Sequence, residues 1–543
     1  MLFFQGNSYN GTNFQEIWDS LSPISPYGKR HKKSVKALVN KKVLENEYRL
    51  TNELLKMIID NPKEMLFLSD LLVCSKDVVP LVNKAYKGLV LEEEEFFNLK
   101  SWLLLLEDIK HISDKVGIDK LKEFKLEKMN DCLSLISPGN QGPSFYLVDS
   151  LSEELARLRM ESHNIKTQLF NHLANLKKQI EKKLDVKFNV EDKIKVSKFD
   201  VELVDLLREQ EDLFYYGESY SHIEFKLKQD SFVIDLKHRA DFINSKMEKE
   251  EYLVREMLTK QLTPFIPKIL QNCKRIGRLD WTLIKAYYAK ETQGLPPEIN
   301  ETDLISIKNG RNPILENVLL KKNKVITPLN IEILEGVAVI TGPNMGGKSV
   351  ALKTIGLLVA LAQHGLLVPC TYMTFRPRKF LFYSQNDGQS IYNGLSTFGW
   401  EIRDIKKALA YRNKKGLYLI DELARGTNPL EGGALALSIA NYLNGSNSIS
   451  VMTTHFEELV NKDFRQLRIV GLSNLSKLEL RRALKGRTGL EIVEKLMDYN
   501  LEDMNEMGLP KEGVMIAALM GLPKEIIDFA ENIIESGRRK EDG

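Results

Sequence analysis

A glycine-rich segment between two apolar stretches constrains this 543-residue chain more than any other feature. Residues 342–349 read GPNMGGKS, which is the pattern G-x-x-x-x-G-K-S. Residues 337–340 before it are predicted to form a buried strand, and residues 350–362 after it a helix. Strand, glycine-rich loop and helix form the context that a phosphate-binding loop requires. A glycine-rich turn that matches the pattern by chance is therefore the weaker interpretation.

Each residue type in this loop suits one part of a nucleoside triphosphate. Glycines let backbone amides turn towards a phosphate, and the start of the helix adds a partial positive charge. Lys348 is expected to reach the β- and γ-phosphates as a catalytic cation, and the Ser349 hydroxyl to ligate Mg²⁺. ATP and Mg²⁺ are therefore the predicted cofactors. The predicted nucleotide-binding residues are Gly342, Pro343, Asn344, Met345, Gly346, Gly347, Lys348, Ser349 and Val350.

Two later apolar strands end in residues that suit the same chemistry. Residues 417–420 lead into Asp421 and Glu422, at the carboxyl end of a strand, where an open α/β sheet places the partners of a metal ion. Asp421 is expected to hold Mg²⁺, and Glu422 to orient or deprotonate the attacking water. Residues 449–454 lead into His455, which is predicted to sense the γ-phosphate through a hydrogen bond, although a lone histidine is usually structural.

Composition narrows the class of protein without identifying a client. The chain is 43% hydrophobic, which is close to the globular average and excludes a fibre or a disordered chain. Its net charge of +3, from 77 basic and 74 acidic residues, favours neither binding nor exclusion of nucleic acid. Four widely spaced cysteines indicate neither a zinc site nor disulfides, and no secretory signal or membrane span is recognisable. A cytoplasmic location without membrane contact is expected.

The sequence changes character near residue 300. Before it, long helical periodicity dominates, whereas residues 303–459 alternate short β-rich runs with helices, which is typical of an α/β domain with a largely parallel sheet. Residues 151–184 are predicted to form a helical arm, and residues 242–289 a return arm that Pro264 and Pro267 end or kink. A small module of about 186–241 lies between the arms, with a predicted strand at 232–234.

The charge of this tip module bears on its client. It contains nine lysines and arginines against thirteen aspartates and glutamates, a net charge of −4, whereas gripping a duplex requires basic residues. Lys193, Lys195 and Lys198 could still form a basic edge. Four aromatic residues are expected to belong to the core of the module rather than to a base-stacking surface. They are Phe214, Tyr215, Tyr216 and Tyr220.

Several collinear segments resemble the MutS family of ATPases. They are RNPILE at 311–316, TGPNMGGKS at 341–349, LSTFGWE at 395–401, DELARGTNPLEGGALA at 421–436, TTHFEEL at 453–459 and GVMIAALMGLPKEIIDFA at 513–530. The resemblance is specific over about 311–458 and weaker but collinear before it. It implies an α/β P-loop ATPase domain of the ABC type, preceded by a mainly α-helical lever and clamp region.

By this resemblance the domains are expected at four ranges. Residues 1–150 would form the helical core or lever, 151–300 the helical arms with the clamp module, 301–465 the MutS-type ATPase domain, and 466–543 its C-terminal helical and strand extension. The family also implies that two ATPase subunits pair, as a homodimer or a MutS-like heterodimer. Ser396, at the start of a helix, would then bind the nucleotide held by the partner in trans.

Departures from the family pattern refine the expectation. About 300 residues precede the ATPase segments, and the lever and clamp are expected to need all of them, so the mismatch-reading amino-terminal domain is not expected. Residues 350–354 and 426–429 look more like the second MutS branch. The carboxyl-terminal Smr nuclease domain of that branch is not expected either. Ala424 stands where the family usually has glycine after the two acids, and alanine resists positive φ.

Two functional hypotheses follow from the resemblance. The first is a dimeric clamp that binds and hydrolyses ATP and acts on mismatched or branched DNA, as in DNA mismatch repair. The alternative is an ATP-dependent reactivase that remodels a protein client, such as an adenosylcobalamin-dependent aminomutase, for which an acidic tip module is no handicap. The steep salt dependence expected of DNA binding separates the two hypotheses.

Overall fold

The chain folds into two compact units. The computed structural model describes residues 3–6, 8–138, 142, 144–384, 397–460, 463–472, 489–504 and 512–541. The first unit combines Met1–Val73, Ile112–Lys125 and Lys274–Gly543, and the second combines Cys74–His111 and Leu126–Cys273. These contacts group the chain differently from the ranges expected from sequence, because the first 73 residues join the unit that contains the phosphate-binding loop.

Fourteen strands lie within the described residues. They are β1 (Phe4–Gln5), β2 (Lys193–Ser197), β3 (Leu213–Glu218), β4 (His222–Leu227), β5 (Glu298–Ile299), β6 (Leu304–Gly310), β7 (Leu329–Leu334), β8 (Gly336–Thr341), β9 (Tyr372–Phe375), β10 (Phe380–Ser384), β11 (Gly416–Asp421), β12 (Ile449–Thr453), β13 (Arg465–Gly471) and β14 (Asp498–Asp503). They form one sheet of seven strands, one of four and one of three.

Nineteen α-helices accompany them in the described part of the chain. They are α1 (Ser8–Gly11), α2 (Phe14–Ser20), α3 (Pro26–Ser34), α4 (Lys41–Asp60), α5 (Pro62–Val73), α6 (Val79–Tyr86), α7 (Glu93–Val116), α8 (Asn130–Ile136), α9 (Glu153–Leu184), α10 (Val201–Glu209), α11 (Ser231–Leu262), α12 (Ile266–Thr292), α13 (Pro313–Leu320), α14 (Lys348–Gln363), α15 (Thr397–Leu409), α16 (Pro429–Asn444), α17 (Leu490–Leu496), α18 (Gly513–Leu519) and α19 (Lys524–Glu541). None of the helices described is long and apolar enough to cross a membrane.

The seven-stranded sheet positions the nucleotide site in the first unit. Its strand order is β1-β10-β11-β12-β8-β13-β14, and every neighbouring pair is parallel except β13 and β14. β8, β11 and β12 are almost entirely buried, because α14 packs on one face and α15 and α16 on the other. The prediction of an α/β domain with a largely parallel sheet is confirmed. The carboxyl ends of these three adjacent strands therefore open on one edge.

The sheet also has an edge strand that the sequence did not predict. Phe4 and Gln5 pair in parallel with Leu381 and Phe382 of β10. A strand of two residues carries no periodicity, so only the neighbouring strand reveals it. The range 1–150, expected to be helical, thus contributes its first residues to the seven-stranded sheet.

The second unit contains the two helical arms and the tip module. α9 and α11 pack together through Leu158, Ile165, Leu236 and Ile243. The expected strand at 232–234 is wrong, since these residues belong to the first turn of α11. That helix starts there because the Asp230 carboxylate accepts a hydrogen bond from the Val233 N–H at 2.7 Å. The predicted interruption at the two prolines is confirmed, since α11 ends at Leu262 and α12 begins at Ile266.

The tip module is a three-stranded antiparallel sheet, in the order β2-β4-β3, with α10 packed on one face. The buried face carries Ile194, Val196, Leu213, Ile223 and Phe225. The expectation that the four aromatic residues of this module lie in its core is wrong. Three of them, in β3, are 40–50% exposed, and the fourth is fully exposed; they are Phe214, Tyr215, Tyr216 and Tyr220. The buried face is filled by aliphatic residues and Phe225 instead.

Candidate nucleotide-binding and hydrolysis site

The glycine-rich loop joins the buried strand β8 to the amino end of α14. Gly347, with φ +92°, occupies a backbone conformation that L side chains rarely adopt, directly before the helix begins at Lys348. Gly342 has φ +146°, and a Cβ there would lie 2.9 Å from Cβ of Ile469. These glycines are required by the turn itself. Ser349 and Val350 follow in the first turn of α14, so the loop has the strand–loop–helix arrangement that the sequence predicts.

Lys348 folds back over its own loop. Its Nζ donates hydrogen bonds to the carbonyl oxygens of Gly342, at 2.8 Å, and Pro343, at 3.3 Å. The side chain is only 5% exposed, and this burial lowers the pKa of Lys348. The ammonium group is therefore held by neutral carbonyl groups at the place where the loop would receive phosphate oxygens.

Asp421 and Glu422 stand at the carboxyl end of β11 and are tied to β12. The Thr453 hydroxyl donates a hydrogen bond to Oδ1 of Asp421 at 2.7 Å and accepts one from the Glu422 N–H at 2.9 Å. Thr453 is buried at the end of β12, directly opposite Asp421 in the sheet. This one hydroxyl therefore fixes the orientation of both acidic residues.

Glu422 is the centre of a cluster of charged side chains. Its Oε1 lies 2.5 Å from Nε2 of His455 and 3.7 Å from Nζ of Lys348, and its Oε2 accepts a hydrogen bond from Arg425 at 2.8 Å. The hydrogen bond with His455 outweighs burial and lowers the pKa of Glu422 to about 2. Glu422 is thus ionised at neutral pH. The three side chains predicted as catalytic, those of Lys348, Glu422 and His455, lie together.

Glu401, whose role the sequence did not predict, accepts a hydrogen bond from the turn that follows Glu422. Ala424 has φ +62°, a left-handed conformation, and its N–H donates a hydrogen bond to Oε2 of Glu401 at 3.1 Å. Glu401, in α15, is 7% exposed, and burial raises its pKa to about 7. The positive φ shows that Ala424 adopts the conformation that the family's glycine would adopt more readily. Glu401 closes the segment 395–401, but no local pattern announces its contact with a residue 23 positions later.

A cavity of about 860 Å³ lies beside the loop. One wall contains Met345, Gly347 and Val350, and another is formed by residues 322–329 together with Tyr499. Of these, only the loop residues and Val350 were predicted to bind a nucleotide. Tyr499 and the apolar side chains of residues 322–329 lie in segments that carry no phosphate-binding motif and are distant from the loop in sequence. The sequence therefore did not predict their place beside the loop.

The oxygen atoms predicted to hold Mg²⁺ suit that ion. Ser349 is half-buried in the first turn of α14, and Asp421 has one carboxylate oxygen bound by Thr453. Magnesium in nucleotide sites takes one or two protein oxygens and completes its shell with phosphates and water, so this donor set fits. Within the described ranges, no group of three or more His, Cys, Asp or Glu side chains could hold a metal. Ser396, the residue expected in trans, lies outside the described residues.

Comparison with known proteins places this geometry in context. Residues 338–536 match the family described as MutS domain V. The chain is 26% identical over 490 residues to Endonuclease MutS2 of Halothermothrix orenii, covering 84% of this chain and 57% of the relative. For Endonuclease MutS2 of Shouchella clausii the identity is 37% over 231 residues, covering 42% and 28%. For that of Caldanaerobacter subterraneus subsp. tengcongensis it is 27% over 452 residues, covering 80% and 54%. The chain thus spans about half the length, or less, of these relatives.

Proposed function

Because this chain is a MutS-family ATPase, we propose that it acts as a dimeric clamp that ATP closes around branched or mispaired DNA and that hydrolysis releases. The observation that supports hydrolysis best is the meeting of Lys348, Glu422 and His455 beside the phosphate-binding loop. In this proposal α9 and α11, with the tip module, are the clamp arms. Residues 1–150 include the lever, and residues 301–465 with their extension to 543 form an ATPase domain of the ABC type.

ATP would bind by replacing contacts that the loop now makes with itself. The backbone N–H groups of the loop and the start of α14 attract the phosphates. Lys348 exchanges the carbonyls of Gly342 and Pro343 for β- and γ-phosphate oxygens, a gain because the new partners are charged. The cavity along residues 322–329 accepts the base and ribose, with Tyr499 at its wall. Mg²⁺, held by Ser349 and Asp421, would neutralise charge on the phosphates.

Glu422 would position the attacking water. The Glu422 carboxylate accepts a hydrogen bond from water and so orients the nucleophile. Its pKa of about 2 belongs to the state in which His455 is its partner, and loss of that hydrogen bond makes the carboxylate a stronger base. His455 now occupies Oε1 of Glu422 at 2.5 Å. When a γ-phosphate enters, His455 turns to it as a hydrogen-bond donor, and the freed Oε1 accepts the water proton. The move of His455 from Glu422 to the γ-phosphate thus couples phosphate binding to the release of Glu422 as a base.

The partner subunit would complete the site. Ser396 precedes α15, and by the family resemblance it would contact the nucleotide of the other subunit. Each site then needs two chains, in a homodimer or a MutS-like heterodimer. A nucleic acid is favoured as client because the relatives are named Endonuclease MutS2, a name that implies action on nucleic acid. Duplex DNA is the form that the proposed clamp would enclose. None of the relatives named above carries a name that points to a protein client.

The experiment is a measurement of assembly and DNA binding across nucleotide states. Glu422→Gln with ATP should be dimeric in sedimentation and bind a fluorescent four-way junction. Affinity should fall steeply between about 50 and 200 mM salt, as phosphate contacts require. Glu332→Gln, which makes the same charge change at an exposed position of β7, is the matched control and should behave as wild type. A monomer in every nucleotide state, or no binding at low salt, would contradict the proposal.

A further inference from the structure

The face of the tip sheet opposite α10 is uncovered among the described residues and has its own composition. Cross-strand register places Lys193 of β2 opposite Lys226 of β4, and Lys226 opposite Phe214 of β3, so these three side chains share one face. Ile194 and Phe225, one position along, share the buried face with the α10 core. Lys195 joins the first set because side chains alternate along a strand. One face is thus an apolar core and the other is cationic and aromatic.

Two aromatic rings and two ammonium groups meet on this face. The rings of Phe214 and Tyr216 lie 6.4 Å apart and are 40% and 48% exposed. Nζ of Lys226 lies 3.8 Å from the centroid of the Tyr216 ring, and Nζ of Lys193 lies 4.9 Å from it. Alternation along β3 places Tyr216 on the same face as Phe214, and Tyr216 is the extra residue of a bulge between Tyr215 and Gly217. The ammonium groups of Lys193 and Lys226 interact favourably with the exposed Tyr216 ring, but neither of them lies over the Phe214 ring.

The charge of this face contrasts with that of the module. Three lysines, Lys193, Lys195 and Lys226, and the two glutamates beside them, Glu191 and Glu224, give it a net charge of +1, although the module as a whole carries −4. Lys193 pairs with Glu191 and Glu224, whereas Lys226 forms no ion pair within the described part of the chain. Two lysines directly opposite each other repel, and Glu191 and Glu224 beside Lys193 offset part of that repulsion. Lys195 and Lys226 are therefore the lysines of this face that form no ion pair among the described residues and remain to contact a phosphate.

We propose that this face binds single-stranded DNA, with bases stacked on Phe214 and Tyr216 and phosphates contacting Lys193, Lys195 and Lys226. Ring faces are available only on unpaired bases, so a single strand fits this surface and a closed duplex does not. This activity lies beyond the ATP-controlled grip on duplex, since it needs neither nucleotide nor dimer. The choice of DNA over RNA rests on the proposed function, whereas the stacking rests on the face itself.

The test is fluorescence anisotropy of the full chain, without nucleotide, on a labelled oligothymidylate of about 20 nucleotides. Tyr216→Ala should weaken binding about 10-fold, whereas Tyr216→Phe, which keeps the ring, should bind as wild type. Lys226→Gln should reduce the slope of log affinity against log salt by about 0.7, the value for one contact with a single strand. Tyr86→Ala, at a 71% exposed tyrosine of α6 outside the clamp arms and this sheet, is the matched control and should change nothing.

Five outcomes would overturn the inference. Four of them are no binding at about 50 mM salt, equal weakening by Tyr86→Ala, equal weakening by Tyr216→Phe and Tyr216→Ala, and tighter binding of oligouridylate than of oligothymidylate. A duplex of the same length bound as tightly as the single strand would also contradict it. Failure of the junction experiment alone would refute the clamp and leave this inference standing, because the two assays differ in ligand, nucleotide and residues.

Discussion

Replacing Glu422 by glutamine separates ATP binding from hydrolysis at this site. The amide has almost the same shape and keeps one oxygen able to accept from His455. It removes the negative charge that lies 3.7 Å from Nζ of Lys348 and the carboxylate that accepts a proton from water. Removal of a positioned base costs about 10²- to 10⁴-fold in rate, so we expect kcat to fall by at least about 100-fold.

The same substitution should leave the affinity for ATP unchanged or increase it. A charge pair at 3.7 Å attracts by about 4 kcal/mol at an effective dielectric constant of about 20, and part of this attraction holds Lys348 away from an incoming phosphate. Glu422→Gln also removes a carboxylate that repels the γ-phosphate. The variant should therefore bind ATP at least as tightly as wild type.

Single-turnover hydrolysis and equilibrium binding of a fluorescent ATP analogue measure the two effects separately. Glu332→Gln again provides the control for a change of one charge at an exposed position. A variant that loses affinity and rate together would show that Glu422 holds the nucleotide site together. Undiminished turnover would refute its assignment as the group that orients water.

Two other residues provide further tests, one beside the site and one between α4 and α12. Glu401→Ala should lower kcat about 10-fold with little change in KM, because the N–H of the left-handed Ala424 loses its acceptor. Glu401→Gln keeps an acceptor oxygen and should restore kcat. Equal loss of kcat in both variants would contradict this role. Glu47→Gln should destabilise the fold by about 3–5 kcal/mol in urea unfolding, because it leaves the fully buried Lys285, 2.7 Å away, without its carboxylate; a loss below about 1 kcal/mol would contradict this account. Burial opposes ionisation of Glu47, but Lys285 and Arg278 outweigh it and lower its pKa from 4.5 to about 2, so its contribution is present above pH 4.5 and is lost as pH falls towards 2. Thermal unfolding across this range should show a steeper loss in wild type than in Glu47→Gln.

The nucleotide site could be predicted from sequence because its signals are local. The loop at 342–349 and the acids after β11 each follow a continuous apolar strand, and parallel strands bring their carboxyl ends to one edge. The contact between Glu401 and Ala424 could not be predicted, since it depends on how α15 packs against the loop after β11. Its only sequence signal was an alanine at a position that requires positive φ.

In the tip module, a run of aromatic residues led to a wrong prediction of the core. Phe214, Tyr215 and Tyr216 look like core because they are large, but Leu213 is the residue of β3 that fills the buried core of this module, and the three aromatic residues are 40–50% exposed. The bulge at Tyr216 shifts the register of the residues that follow it, and no residue type marks it. Residues 232–234 looked like a strand for a related reason. Their β-branched and aromatic side chains favour strands, yet the Asp230 cap and packing against α9 make them helical.

The central claim is that each ATP is hydrolysed between two chains, and subunit mixing tests it most directly. Lys348→Ala is expected to lose the γ-phosphate cation of its own site, and Ser396→Ala the group that it donates to its partner's site, so each variant alone should be nearly inactive. Random pairing of equal amounts gives heterodimers in which one of the two sites is complete, so the mixture should recover about a quarter of the wild-type ATPase rate. A mixture no more active than the mean of its two parents would contradict the claim.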